Sequence, residues 1–189
     1  MFALLTSIQS LLDGGGHTVL AIDGRCGSGK STLAALLAER FGGRVVHMDD
    51  FFRPFELRDG QTFERIGGNI HTERLVREVM SHIRDTELCY NRYSCREGIY
   101  SPVRLPPARL TVVEGSYSLL PELRRYYDLT VFCDVSREVQ RRRIIAREQD
   151  RAGMFFERWI PLEERYFDRY AVRQYADIIL NMEETLCSD

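Results

Sequence analysis

Lysine is almost missing from this sequence. Lys30 is the only one in 189 residues, and every other fixed positive side chain is an arginine. An Asn-Lys-x-Asp motif of the kind that reads guanine therefore cannot occur, which excludes a conventional GTPase, and no Leu-Ser-Gly-Gly-Gln transporter signature is present. The five cysteines, Cys26, Cys89, Cys95, Cys133 and Cys187, are odd in number and show no CxxC or Cys/His spacing. They predict neither a disulfide frame nor a zinc site, but reduced thiols in a cytoplasmic protein. No apolar run approaches bilayer length. The opening MFALLTSIQSLL lacks a basic stretch and a small-residue cleavage site, and reads as an amphipathic helix. Charge of one sign is also lacking: 26 basic against 28 acidic residues leave a net charge of −2, so neither nucleic acid nor a membrane is expected as partner. There are no repeats or low-complexity tracts. What remains, 44% apolar with 11% aromatic residues, is enough to bury the core of one domain.

Five short apolar segments rich in β-branched residues, at 18–22, 44–48, 109–113, 128–133 and 177–180, read as buried parallel strands. Helical patterns alternate with them over 30–41, 72–84, 121–127, 136–150 and 155–173. This alternation predicts an α/β, doubly wound, five-stranded parallel sheet with helices on both faces. Ligands of such sheets bind beyond the carboxyl ends of the strands. Residues 53–70 and 91–108 hold most of the remaining glycine and proline, with many aromatic and arginine side chains, and read as irregular lids or binding loops.

Residues 21–32, AIDGRCGSGKST, place Gly24, four residues, then Gly29-Lys30-Ser31 between a strand and an amphipathic helix, the Walker A arrangement. Backbone N–H groups of Gly24, Arg25, Cys26, Gly27, Ser28, Gly29, Lys30, Ser31 and Thr32 are expected to surround nucleotide phosphates at a helix N-terminus. Lys30 would reach the β- and γ-phosphates, and the Ser31 hydroxyl Mg²⁺. After the second strand comes MDDFFRP, whose Asp49 or Asp50 could accept a hydroxyl proton or help hold the metal, the other capping a turn. After the third comes VVEGSY, with Glu114 at the position of a Walker B acid. After the fourth, Arg143, Arg147 and Arg151 fall on one helix face and could close over phosphates, although charge runs also make solvated faces.

The ordered segments GRCGSGKST, HMDDFFRP, YNRYSC, TVVEGSY, QRRRIIAR and YADIIL resemble the uridine kinase-like branch of P-loop kinases, which includes nicotinamide riboside kinases. The resemblance implies one P-loop domain over 1–189, with a short lid about 141–155 and substrate loops about 50–70 and 90–107. It implies ATP and Mg²⁺ as cofactors and transfer of the γ-phosphate to a hydroxyl of a small nucleoside-like acceptor. Carried over by position, Asp49 with Lys30, Arg143 and Arg147 would be catalytic, and Ser31, Asp49 and Glu114 would hold the metal. Phe52, Tyr90 and Cys95 would face the acceptor. Cys95 stands where uridine kinases tend to carry a base-reading His, and ERIGGNIHTERL has no counterpart of their Asp-rich ribose-binding stretch. Nicotinamide riboside, pantothenate or a sugar therefore stay open as acceptors, as does a nucleotide-binding regulator without an acceptor, and a homo-oligomer is left open.

Overall fold

The computed structural model describes residues 1–183, so Cys187 lies outside the described residues. A five-stranded sheet forms the centre: β1 (Thr18–Gly24), β2 (Arg44–His47), β5 (Leu110–Glu114), β6 (Leu129–Asp134) and β7 (Ile178–Asn181), in the order β2-β5-β1-β6-β7. All four pairings are parallel, with Ile22 opposite Glu114 and Gly24 opposite Cys133. β1 and β5 are buried at every position, which is why they read as unbroken apolar runs. The predicted strands are all present.

Two apolar clusters sandwich the sheet. On one face α1 (Phe2–Asp13) presents Leu4, Ile8 and Leu12, and α2 (Lys30–Phe41) presents Leu33, Ala34 and Leu37, against Leu20, Ile22 and Val131. On the other, α3 (Thr72–Glu78) and α6 (Ile160–Arg169) bring Leu75, Tyr166 and Phe167 against Val19, Val113 and Phe132. Full burial of each such side chain contributes about 1.5–3 kcal/mol.

The structure corrects several predicted elements. Residues 91–108 are not irregular: β3 (Leu88–Ser94) and β4 (Ile99–Leu105) form a separate antiparallel hairpin, with Ser94 opposite Ile99. Gly98 takes φ +70° in its turn, and Pro102 sits in a two-stranded ribbon, where a missing N–H is tolerated at an edge. The predicted helix 72–84 stops after Glu78 and tightens into a 3₁₀ turn at Met80–His82. The buried Arg44 guanidinium collects carbonyls freed there, Ile83 at 3.0 Å and Asp85 at 2.8 Å. Only Arg124–Tyr126 of 121–127 is helical, as a 3₁₀ turn.

Residues 137–148 form α4, Ser136 capping it through Val139 N–H. The chain then passes through a 3₁₀ turn (Gln149–Arg151) and the short α5 (Ala152–Met154). The predicted helix 155–173 is divided. Phe155–Trp159 is a π-turn, followed by α6, and Ala171 at φ +47° separates α6 from α7 (Val172–Tyr175). Pro161, at the start of α6, has no N–H to return to the preceding turn, which therefore widens. Residues 53–70 remain turns apart from the 3₁₀ turn Phe55–Leu57. Among the described residues no helix is long and apolar enough to cross a membrane.

Candidate active site

The β1–α2 loop sits at the carboxyl end of the sheet, and two glycines make it possible. Gly24 has φ +132°, and a Cβ there would fall 2.1 Å from the Cys133 carbonyl oxygen. Gly29 takes φ +96° directly before α2. The Arg25 N–H donates to the Cys133 carbonyl and the Ser28 N–H to the Arg25 carbonyl, closing the turn around Lys30. Lys30 itself is buried, its Nζ donating to the carbonyls of Gly24 (2.7 Å) and Arg25 (3.0 Å). Burial opposes its charge, but Glu163, Asp23, Cys26 and Glu114 outweigh that and hold its pKa above the usual lysine value.

The loop opens onto a cavity of about 820 Å³, and Cys26, Gly27, Gly29, Lys30, Ser31 and Thr32 line it. Asp49, in the 3₁₀ turn after β2, and Glu114, at the end of β5, line it too. Ser31 Oγ donates to Glu114 at 3.1 Å, and His47 Nδ1 lies 2.5 Å from the same carboxylate. Asp49 is exposed to the open cavity, yet the protein packed around it disfavours its charge and Glu114 adds to that, so its carboxyl lies above the usual range. Among the described residues no group of three or more His, Cys, Asp and Glu side chains could cage a metal by itself. The oxygens of Ser31, Glu114 and Asp49 are hard donors, the set that suits Mg²⁺ when phosphates and water complete its shell. These residues fit that ion.

The helix after β6 supplies the cationic wall. Arg143 Nη1 donates to the carbonyls of Gly27 and Ser28 at 3.4 Å, and its Nη2 to Met182 at 2.9 Å. Arg147 lies 3.7 Å from the Cys26 sulfur and pairs with Glu148 at 2.8 Å, while Arg151 pairs with the same carboxylate at 3.2 Å. Burial, then the charge of Glu163, pushes the Cys26 thiol up to about 11, so it remains neutral.

The adjacent aspartates diverge. Asp49 faces the cavity, whereas Asp50 is buried and accepts from Tyr90 OH at 2.8 Å. One expected placement is thereby corrected. Tyr90 does not line the cavity: it is 5% exposed, its ring lies 5.2 Å from Phe51, and its hydroxyl is held by Asp50. The Arg25 side chain turns away from the loop's concave side, drawn to Asp134 at 3.0 Å and to Glu164. Ser28 and Gly24 do not line the cavity either, and their N–H groups are engaged within the protein, Ser28 with the Arg25 carbonyl at 3.0 Å and Gly24 with Asp23 Oδ1 at 2.7 Å. Phe52 and Cys95 do line it.

The sequence pattern passed over Glu163. This carboxylate, 5% exposed on α6, accepts from the Cys26 N–H at 3.0 Å and from the Ser116 hydroxyl. Burial raises its pKa, Lys30 opposing. Its signal was available: Glu163, Tyr166, Phe167 and Tyr170 recur at helical spacing, putting one acid on an apolar face. His47, Arg58 and Asn69 gave no comparable signal.

No protein-family model and no curated protein sequence matches the chain. Solved structures do. A possible uridine kinase from Bacillus stearothermophilus superposes with a TM-score of 0.68 at 22% identity, covering 88% of this chain and 89% of that one. A candidate fructose transport system kinase from Silicibacter sp. TM1040 gives a TM-score of 0.69 at 22% identity, covering 87% and 90%. The chain therefore shares the fold of these two structures, the five-stranded parallel α/β sheet that its sequence pattern predicted.

Proposed function

We propose that this chain is a Mg·ATP-dependent kinase that transfers the γ-phosphate to a hydroxyl of a small acceptor. One observation carries the proposal: Lys30, Ser31, Asp49 and Glu114, from three neighbouring strand ends, line a single cavity large enough for two substrates. Ser31 and Glu114, with Asp49, would hold Mg²⁺, which would supply charge neutralisation between the β- and γ-phosphates. Asp49 takes the proton of the acceptor hydroxyl as that oxygen bonds the γ-phosphorus and the bond to the β-phosphate oxygen breaks. Lys30 and the loop N–H groups stabilise the charge that develops on the leaving phosphate, and Arg143 and Arg147 stand over the same loop.

The acceptor side is lined by Phe52, Phe55, Phe63 and Trp159, with Phe63 and Trp159 edge to face at 5.8 Å. Such walls favour an acceptor with a flat ring, as in a nucleoside. The test is acceptor-stimulated release of ADP from Mg·ATP across nucleosides, vitamins and sugars. Stimulation by an acceptor, abolished in Lys30→Ala, is the expected result. ATP binding with no stimulation by any acceptor would overturn the kinase assignment and favour a nucleotide-binding regulator.

A further inference from the structure

The segment 53–70 carries three arginines whose surroundings differ. Arg53 pairs with Glu73 at 3.5 Å and Arg65 with Asp59 at 3.4 Å. Arg58 has no carboxylate within ion-pair distance among the described residues, yet it lines the cavity. Its Nε donates to the Arg53 carbonyl at 2.8 Å, its guanidinium lies over Phe55 at 4.2 Å, and one Nη points at the Cys95 sulfur at 3.6 Å. Cys95 gives no counter-charge, since burial raises its thiol pKa. Arg58, Cys95 and Asp49 line the same cavity.

A second observation comes from Asn69. It is 4% exposed and lines the same cavity, but its carboxamide has no hydrogen-bond partner among the described residues. The polar atoms of that amide are not sealed from solvent but open to the cavity, where a ligand can supply the missing hydrogen bonds. Its own carbonyl receives the Arg53 N–H at 2.7 Å, and the Arg53 carbonyl receives Arg58, so the two free groups stand on adjoining stretches of backbone. An arginine that lines a cavity, fixed by ring stacking, one backbone bond and a contact to a neutral thiol, with no carboxylate at ion-pair distance, is prepared for a planar or tetrahedral anion.

We infer that the phosphate acceptor itself carries an anionic group, a carboxylate or a phosphate, which Arg58 receives while Asn69 hydrogen-bonds the same end of the molecule. This rests on the kinase reading above. A neutral nucleoside would leave the cation without a partner.

Matched acceptors that differ in one anionic group provide the test: uridine against orotidine, nicotinamide riboside against nicotinate riboside, panthenol against pantothenate, and ribose against ribose 5-phosphate. Each is assayed by ADP release with wild type, Arg58→Gln, Arg58→Lys and Asn69→Ala, with thermal melting as a control for folding. In at least one pair the anionic member is expected to have the higher kcat/KM. Arg58→Gln should lower the anionic-to-neutral ratio of kcat/KM about 10–100-fold, through KM, with Arg58→Lys retaining part of it. The last pair separates phosphate from carboxylate.

If the neutral members are preferred and Arg58→Gln leaves the ratio unchanged, the anion site is overturned while the kinase stands. If nothing stimulates ADP release, the kinase assignment falls, and calorimetric titration of the four anionic members in the presence of a non-hydrolysable ATP analogue decides the site on its own. Binding lost in Arg58→Gln supports it, and no binding overturns it.

Discussion

The two ends of the cavity both hold arginines, but only at one end do any of them pair with an acid. At the phosphate end Arg147 and Arg151 share Glu148, and Arg143 is spent on three carbonyls. Each is held in place before any nucleotide arrives. At the acceptor end Arg58 rests on rings and a thiol, and the exposed Arg158 stacks on Phe63 at 5.2 Å with no acid at ion-pair distance among the described residues. A pre-paired cation can be exchanged from a carboxylate to a phosphate with little change in net electrostatic energy, whereas an unpaired one awaits its counter-ion. On the function proposed above, the difference would separate a surface that positions a common phosphate donor from one that selects an acceptor.

The largest effect should come from removing the one cation at the centre of the phosphate end. Lys30→Ala is expected to cost about 10⁴-fold in turnover. It should also lower the melting temperature, because Asp23 and Glu163 lose the charge that offsets their burial. Both carboxyls have folded pKa values raised by that burial, so protons bind the folded variant more readily as pH falls. The stability deficit relative to wild type should therefore shrink from neutral to mildly acidic pH, and an unchanged deficit would detach Lys30 from those acids.

Asp49→Asn should reduce kcat about 10²–10³-fold while nucleotide affinity, measured by titration calorimetry, stays within about threefold. Normal turnover would remove Asp49 as the base. Tyr90→Phe takes the hydrogen bond from buried Asp50 and is expected to cost about 1–3 kcal/mol in urea unfolding. The acceptor KM should stay within about twofold, and a large rise in it would return Tyr90 to the acceptor surface.

Glu148→Ala would make the phosphate end resemble the acceptor end by freeing Arg147 and Arg151. ATP should then bind roughly 2–5-fold more tightly, an advantage that fades with added salt. Cys95→Ser should change acceptor kcat/KM by less than about twofold, since Arg58 draws little from a neutral thiol.

The sheet was legible in the sequence because its strands are buried on both faces, and the Walker segment because its glycines are needed by the backbone itself. Legibility failed where a local signal was outvoted by a distant partner. Gly98 and Pro102 read as loop residues, yet the full seven-residue register from Leu88–Leu105 to Ser94–Ile99 holds them in a hairpin. Tyr90 followed the family position but was drawn inward by Asp50, 40 residues away in sequence. Asn69 and Arg58 could not be found by pattern at all, because what marks them is the absence of a partner. That is a property of the folded surroundings, and no spacing rule encodes it.

The scarcity of lysine has a consequence for the chemistry done to this protein. Lys30 is its only side-chain amine and is 8% exposed, lining the cavity of the candidate active site. Acylation, glycation and ubiquitin transfer therefore find no side-chain amine on the exterior, whose positive charge is carried by guanidinium groups that none of these reactions neutralises at neutral pH. The same scarcity turns the molecule into its own occupancy gauge. An amine-directed reagent small enough to enter the cavity has one side chain to modify, and a bound nucleotide would stand in front of it.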